Sequence, residues 1–245
     1  MRILVMTSDH YLPALRVFAH LFNKHWGADQ RVTVGGFTPP TFDLPPNFTF
    51  YSIGRFEDYP VTRWSDALIH ALQCIPDDQV IVMLEDYWLT TGVDVEAVRM
   101  AYDYCGQFRY VARFDLTADR ACSGGARFYA NIRRPSGGDL RIIQSNPDEG
   151  YHLSLMAGVW NKDHLLRVLR PGETAQETEL NGTPRLRTMA HETIVLGYEK
   201  EWQPVRYTLA LRAQTGHGVL LLDGVPEGDR EELHKLGYLK PWGVE

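Results

Sequence analysis

Two acids follow directly on the most apolar stretch of the sequence. Glu85 and Asp86 come after residues 80–84, five apolar residues in a row, a pattern typical of a strand buried on both faces. Ligands of open α/β sheets bind outside the carboxyl ends of the strands, and acids buried there are costly unless they meet a cation. Mg²⁺ and Mn²⁺ prefer carboxylate oxygens and often bridge to substrate phosphates. We therefore predict a divalent-metal site that offsets the charge of a diphosphate; the alternative is a solvated acidic pair opening a loop.

The pattern around these acids predicts the sheet that must position them. Apolar runs and helical periodicity alternate through the first 116 residues, which predicts an α/β fold with a mostly parallel central sheet flanked by helices. In that part we predict strands at 2–6, 31–35, 48–53, 80–84 and 110–114, and helices at 13–26, 64–75 and 94–105. In the looser second half we predict a long loop or irregular hairpin at 121–150, helices at 161–169, 188–200 and 229–236, and strands at 206–211 and 219–222.

Composition excludes several classes of protein. The 245 residues are 44% hydrophobic and 23% charged, as in ordinary globular proteins, and the chain has no apolar run of the length that spans a membrane. Its first residues read as a buried strand and not as a secretory signal. Cys74, Cys105 and Cys122 are odd in number and far apart, which argues against a disulfide framework and favours a cytoplasmic location.

Common nucleotide-binding and hydrolase motifs are missing from the sequence. It contains neither a GxxxxGK[ST] loop nor a GxGxxG turn after the first strand, so P-loop and dinucleotide-binding proteins are excluded. A G-x-S-x-G elbow and the His-x-Glu with Cys-x-x-Cys pattern of zinc deaminases are missing as well.

Two longer stretches carry a resemblance to a known family. Residues 64–89, WSDALIHALQCIPDDQVIVMLEDYWL, resemble the donor-site half of GT-A glycosyltransferases, above all small bacterial and phage-borne members with a Leu-Glu-Asp-Tyr acidic motif. Residues 157–179, AGVWNKDHLLRVLRPGETAQETE, resemble the same group, in which a Trp, a short helix, a Pro-Gly-Glu turn and a closing Glu follow in order. Glu-Asp stands here in place of Asp-x-Asp, and Gln176 stands where an aromatic residue is expected.

The resemblance implies a GT-A fold and a hexosyltransferase that uses Mn²⁺ or Mg²⁺ and a nucleotide-sugar donor, first of all a UDP-sugar. It implies one domain at 1–225, with a nucleotide-sugar-binding half at 1–116 and an acceptor-side half at 117–225, followed by a polar tail at 226–245. The compartment would then be the cytoplasm, and the host cytoplasm if the protein is phage-encoded.

The resemblance also suggests which residues bind the donor and the metal. Asp86 would be the main metal ligand, with Glu85 as a second acid near the ribose or the metal. His217, which glycines flank between two late strands, would contact the metal or the diphosphate, with a plain turn histidine as the alternative. The remaining donor-site candidates are Thr7, Ser8 and Asp9 after the first strand, where a helix cap is the alternative, and Arg63 and Asp66, where surface polarity is the alternative.

A carboxylate is needed to take the proton of the acceptor hydroxyl in an inverting transfer. Glu179 is the first candidate for that base or for a carboxylate that orients the acceptor, with Glu177 and Glu173 as rivals in the same stretch and an acidic helix N-terminus as the alternative. Trp160 is the candidate to contact the acceptor, because it takes the place of the Trp in the second resembling stretch.

The segment 107–143 bears on the acceptor. It carries +4 in a chain whose net charge is −6, and it includes Arg127, Arg133 and Arg134. Arginines suit phosphate, and some phage-type relatives implied by the resemblance glycosylate hydroxymethylated pyrimidines in DNA, so DNA is the favoured acceptor and these three arginines its contacts. The alternatives are a solvated loop with paired arginines, a glycan, lipid-linked or protein acceptor, and, in other classes, a nucleotidyltransferase or a non-catalytic binding module.

Overall fold

A nine-stranded sheet forms the centre of the computed structural model, which describes residues 1–212 and 218–244. The strands of the chain are β1 (Ile3–Met6), β2 (Val32–Gly36), β3 (Phe48–Ser52), β4 (Gln79–Leu84), β5 (Tyr87–Leu89), β6 (Val111–Asp115), β7 (Arg127–Arg133), β8 (Asp139–Gln144), β9 (Gly158–Asn161), β10 (Ile194–Tyr198), β11 (Tyr207–Leu209), β12 (Leu211–Arg212) and β13 (Val219–Leu220). The helices are α1 (Leu12–His25), α2 (Trp64–Cys74), α3 (Val95–Gln107), α4 (Asp119–Cys122), α5 (Lys162–Val168), α6 (Ala175–Thr188) and α7 (Glu227–Lys235).

The order of the strands reverses between β1 and β4. Across the sheet the order is β3-β2-β1-β4-β9-β6-β10-β8-β7, and all strands except β8 and β9 run in the direction of β1. The chain steps outward from β1 to β2 and β3 and then returns to the other side of β1 as β4. Such a reversal separates the loops that leave the two strands, and α/β proteins bind ligands at that point.

Helices cover both faces of the sheet. The apolar faces of α1 and α3 pack on one side, and α2, α5 and α6 contribute to a second core on the other. Side-chain caps fix where several helices begin: Asp94 accepts from the Ala97 amide at 3.1 Å, and Asn161 accepts from Asp163 at 3.2 Å. The predicted α/β fold with a mostly parallel sheet is therefore confirmed.

One predicted helix is wrong. Residues 188–200 do not form a helix: α6 ends at Thr188, and β10 occupies Ile194–Tyr198 between β6 and β8. Four of the five residues of β10 are buried, so its apolar run is that of a strand inside the sheet. His191 and Glu192 lie in the turn that joins α6 to β10.

The segment 121–150 contains a hairpin, the second of the two structures predicted for it. β7 and β8 pair in antiparallel fashion and extend the central sheet at one edge. The hairpin therefore belongs to the sheet and is not a loop.

The polar C-terminal segment folds back on α1. Lys24 and His25 contact Asp229 at 2.7 and 2.8 Å, and Leu233 of α7 has no exposed surface. Residues 226–244 are therefore packed against the domain. Among the helices of the described ranges, none combines the length and the apolar character that crossing a membrane requires.

Candidate active site

The acid pair lies at the carboxyl end of β4, beside the carboxyl end of β1. Glu85 is 7% exposed, and the Ser8 amide and the Thr7 hydroxyl at the end of β1 lie near enough to favour its charged form. Burial and the neighbouring charge of Asp86 nevertheless raise the pKa of Glu85 well above its ordinary value. The structure thus brings together Thr7, Ser8 and both acids, as predicted from their positions after two strands.

One carboxylate oxygen of Asp86 is buried without a hydrogen-bond partner in the described part of the chain. That oxygen is Oδ1, and burial raises the pKa of Asp86 to about 6. Tyr11 lies close by, because the charges of Glu85 and Asp86 add to burial in raising the pKa of its phenol. An unpaired buried carboxylate is unfavourable, so this pair favours a positively charged ligand.

A divalent cation fits this arrangement. Two adjacent carboxylates, one of them with an unpartnered oxygen, match the way Mg²⁺ is bound through one or two carboxylates and substrate phosphates. The described part of the chain holds no group of three or more His, Cys, Asp and Glu side chains around a common point. His217, the third predicted ligand, lies outside the described residues.

Two stacked tyrosines link the acid pair to α6. The pairing of β5 with β11 brings the rings of Tyr87 and Tyr207 together. Their ring centroids are 4.6 Å apart, and the ring planes are inclined by 22°. Burial raises the pKa of Tyr87, and the charges of Asp86 and Glu179 raise it further. Since both charges act on one phenol, Asp86 and Glu179 lie near the same ring.

Glu179 differs from Glu177 and Glu173 in its burial and its partners. Burial raises the pKa of Glu179, and its Oε1 accepts a 2.7 Å hydrogen bond from the Leu155 amide. Glu177 instead forms a capping box with Thr174, whose hydrogen bonds lower the pKa of Glu177. Glu173 is held by Arg185 at 2.8 and 2.7 Å. The helix-terminus alternative therefore describes Glu177, whereas Glu179 lies near Tyr87.

A buried cluster of charges beside the site was missed from the sequence. Arg113 and Arg120, assigned to a basic surface segment, have no exposed side-chain surface, and Asp115 lies between them at 3.0 and 3.3 Å. Arg120 also contacts Glu149 at 2.8 Å and pairs with Asp119, which is 26% exposed. Asp115 ends β6, so the rule that singled out Glu85 could have found it.

Charges in this cluster reach the tyrosine pair. The pKa of Asp119 is lowered: its burial is outweighed by the charges of Arg120 and Arg113. The charges of Asp115 and Asp119 add to burial in raising the pKa of Tyr207. The cluster therefore lies near the two tyrosines, and it supplies two fixed arginine charges near Glu179.

Three predicted donor ligands are committed to other contacts. Asp9 accepts hydrogen bonds from the amide and hydroxyl of Thr38 at 3.0 and 2.6 Å. Arg63 and Asp66 pair with each other at 2.5 Å, and Asp66 also accepts from the Gly172 amide at 2.7 Å. These contacts tie loops together at the same edge of the sheet.

The predicted acceptor residues do not join the acids. Trp160 has no exposed surface and lies 5.3 Å from the Arg113 guanidinium, so its assignment as an acceptor contact is wrong. Arg127 and Arg133 are on β7, five strands from β4, which is about 24 Å at the usual strand spacing. Arg133 pairs with Asp139, Arg127 with Gln144, and Arg134 with Asp94 and Glu96.

Comparison with protein-family models gives no match, and comparison with curated proteins gives none either. The class of the protein therefore rests on its own fold and site, which are those of a mixed α/β domain with paired acids at the reversal of strand order.

Proposed function

We propose that the protein is a metal-dependent glycosyltransferase that moves a sugar from a nucleotide-sugar donor to a hydroxyl acceptor. The observation that carries the proposal is the unpartnered Asp86 carboxylate oxygen beside Glu85, at the reversal of strand order where α/β proteins bind ligands. Glu179, near the stacked tyrosines, is a carboxylate whose raised pKa suits a general base. A metal site and a base close together are what a transfer from a diphosphate requires.

Each residue has a defined part in the proposed reaction. A Mn²⁺ or Mg²⁺ ion held by Asp86 and Glu85 would offset the charge of the departing diphosphate. Glu179 takes the proton of the acceptor hydroxyl as its oxygen bonds to the anomeric carbon. The bond from that carbon to the diphosphate breaks, and the nucleoside diphosphate leaves with the electron pair. Thr7 and Ser8, at the end of β1, favour the charged form of Glu85 that would bind the ion.

The test is release of nucleoside diphosphate from a panel of nucleotide sugars with Mn²⁺ or Mg²⁺ and hydroxyl acceptors. Loss of a general base costs about 10²–10⁴-fold, so Glu179→Gln should lower the rate by that factor. Glu177→Gln is the matched control, since it lies two residues away in the same helix and faces solvent. Asp86→Asn should abolish metal-dependent donor binding, and Asp78→Asn, an exposed acid before β4, should not.

Other outcomes separate the competing classes. Release of pyrophosphate from a nucleoside triphosphate would identify a nucleotidyltransferase. Donor binding that depends on Asp86 but gives no product with any acceptor would identify a binding module. Equal rates for Glu179→Gln and Glu177→Gln would contradict the assigned base.

Hydroxymethylated pyrimidine in DNA stays the acceptor that we propose first. The exposed Arg127 and Arg133 on β7 would bind phosphates, about 24 Å from the acids and so on a long polymer. Incubation with 5-hydroxymethylcytosine DNA and a nucleotide-sugar panel, followed by mass analysis of the digested nucleosides, tests it. An unchanged nucleoside mass with active enzyme would leave the glycan, lipid-linked or protein acceptors.

A further inference from the structure

A second cleft, of about 340 Å³, lies at the other end of the β5–β11 ribbon from Asp86. Its walls come from the end of β5, the start of α3 and the short helical turn Lys200–Trp202. Two backbone hydrogen bonds of 3.1 Å fix these walls, from Thr90 to Arg206 and from Asp94 to Pro204. The cleft is separated from the acid pair by four or five extended residues, on the order of 15 Å.

An exposed aromatic face and free polar groups line the cleft. Trp202 is 39% exposed, whereas tryptophan side chains are highly buried on average. Arg206 and Glu201 are exposed, and their side chains make no hydrogen bond or ion pair to the part of the chain that the structure describes. Gln203 donates to the Lys200 carbonyl at 3.1 Å, which leaves its side-chain oxygen as an acceptor.

The charges of the cleft balance. Arg134 is held by Asp94 at 2.8 Å and by Glu96 at 3.0 Å, so it adds no unpaired positive charge. Arg206 and Glu201 carry opposite charges. An anion would meet the two acids of the lining, Asp94 and Glu201, and a cation its two arginines, whereas an uncharged ligand with several hydroxyls would find both donors and acceptors.

We propose that this cleft binds an uncharged saccharide. The C–H face of a sugar ring is weakly positive and packs on the negative face of an aromatic ring, here that of Trp202. Arg206, Glu201 and Gln203 would then bind the ring hydroxyls from the sides. The site is distinct from the proposed transfer centre and does not depend on transferase activity, although it would suit the remote end of a glycan acceptor.

The indole N–H signals of the six tryptophans give a direct test in ¹⁵N-labelled protein. Maltotriose, lactose and triacetylchitotriose are titrated in turn, and Trp202→Phe identifies the Trp202 signal by its loss. We expect at least one of these sugars to shift that signal and not those of buried Trp88 and Trp160. Arg206→Ala and Gln203→Ala should each weaken binding about tenfold, the cost of a lost hydrogen bond to a charged or polar partner.

The controls keep the binding test separate from the catalytic proposal. Arg31→Ala and Phe128→Ala remove an exposed arginine and an exposed aromatic residue elsewhere and should leave the sugar titration unchanged. Asp86→Asn should also leave it unchanged, since the two sites are separate. No shift with any of the three sugars would overturn the proposal, and so would a shift that survives both Arg206→Ala and Gln203→Ala. If inorganic phosphate shifts the Trp202 signal and none of the sugars does, the cleft is an anion site.

Discussion

The contacts of single carboxylates separate the candidate catalytic acids from the structural ones. Asp86 keeps an unpartnered oxygen and Glu179 keeps a raised pKa, although both lie among other acids of the same type. The other candidate acids already form hydrogen bonds to helix caps, loop residues or arginines. Residue type and spacing could predict that acids gather at this edge, but only the partners decide which of them are available for chemistry. The committed acids are Asp9, Asp66, Glu173 and Glu177.

His152 should make the fold sensitive to acid. Burial and the charges of nearby arginines lower its pKa to about 4, and its Nδ1 lies 3.0 Å from the Ser145 hydroxyl. The unfolded chain takes up a proton near pH 6.5 and the folded chain does not, so stability is lost as the pH falls from 6.5 towards 4. The loss is about 3 kcal/mol at most.

Urea denaturation at pH ~7 and pH ~4.5 measures how much of the free energy of unfolding is lost through His152. His152→Gln should lose less stability between the two pH values than the wild type does. His191→Gln, in the exposed turn after α6, should follow the wild type at both. A pH dependence that His152→Gln leaves intact would assign the acid sensitivity to other groups.

Gly158 is required by the buried arginine beside it. A Cβ at this position would stand 2.8 Å from the Nε of Arg113, whose guanidinium is fixed by Asp115 and the Met156 carbonyl. We expect Gly158→Ala to lower the free energy of unfolding by about 1–3 kcal/mol, as overpacking does. Gly150→Ala, where a Cβ meets nothing within 4 Å, is the control in the same urea experiment. Equal midpoints for the two variants would mean that Arg113 has room to move.

At the scale of elements, periodicity predicted the first 116 residues well and failed around α6 and β10. The interior of α6 contains Gly182 and Pro184, which disfavour a helix, and its buried residues are mostly small or polar. Packing overrides this preference, since Gly182 lets the Leu153 side chain approach to 2.6 Å from where its Cβ would be. The apolar run of β10 is too short for periodicity to distinguish a strand from a helix.

The site was predictable to the same extent as its elements. The acids after β4 and the polar residues after β1 were placed correctly, because their strands were. Trp160 was assigned from resemblance alone, and its position in β9 between β4 and β6 buries it. The charge cluster around Arg120 joins residues from β6, α4 and the turn after β8, a long-range contact that no local pattern contains.

The capping box of α6 should contribute to stability without taking part in catalysis. The Thr174 hydroxyl accepts from the Glu177 amide at 3.1 Å, and the Glu177 carboxylate accepts from the Thr174 amide at 2.9 Å. Thr174→Ala should therefore lower the free energy of unfolding by about 0.5–2 kcal/mol. Thr188→Ala, at the exposed other end of the helix, should cost less in thermal denaturation. A larger loss for Thr188→Ala would contradict this account of the cap.

At the scale of the whole molecule, the C-terminal segment braces the layer that carries the site. α7 is polar in composition, yet Asp229 is 4% exposed and pairs with Lys24 and His25 of α1. Beyond it, Trp242 packs against Trp88 of β5 with ring centres 6.2 Å apart. Because Trp88 follows Tyr87 in the same strand, Trp242 supports the β5–β11 ribbon that follows Asp86.

Two leucines of the C-terminal segment test whether it belongs to the cooperative fold. Leu233 has no exposed surface, whereas Leu236, three residues later, is 45% exposed. Truncation of a buried leucine costs about 2–5 kcal/mol, so Leu233→Ala should lower the free energy of unfolding by that amount. Leu236→Ala should change it by less than about 0.5 kcal/mol, as surface substitutions do. Both values come from urea denaturation followed by far-UV circular dichroism and by tryptophan fluorescence. Coincident curves with a large loss only for Leu233→Ala are expected, because α7 would then unfold together with the sheet. A small loss for Leu233→Ala, or a separate early transition, would mean that α7 detaches on its own.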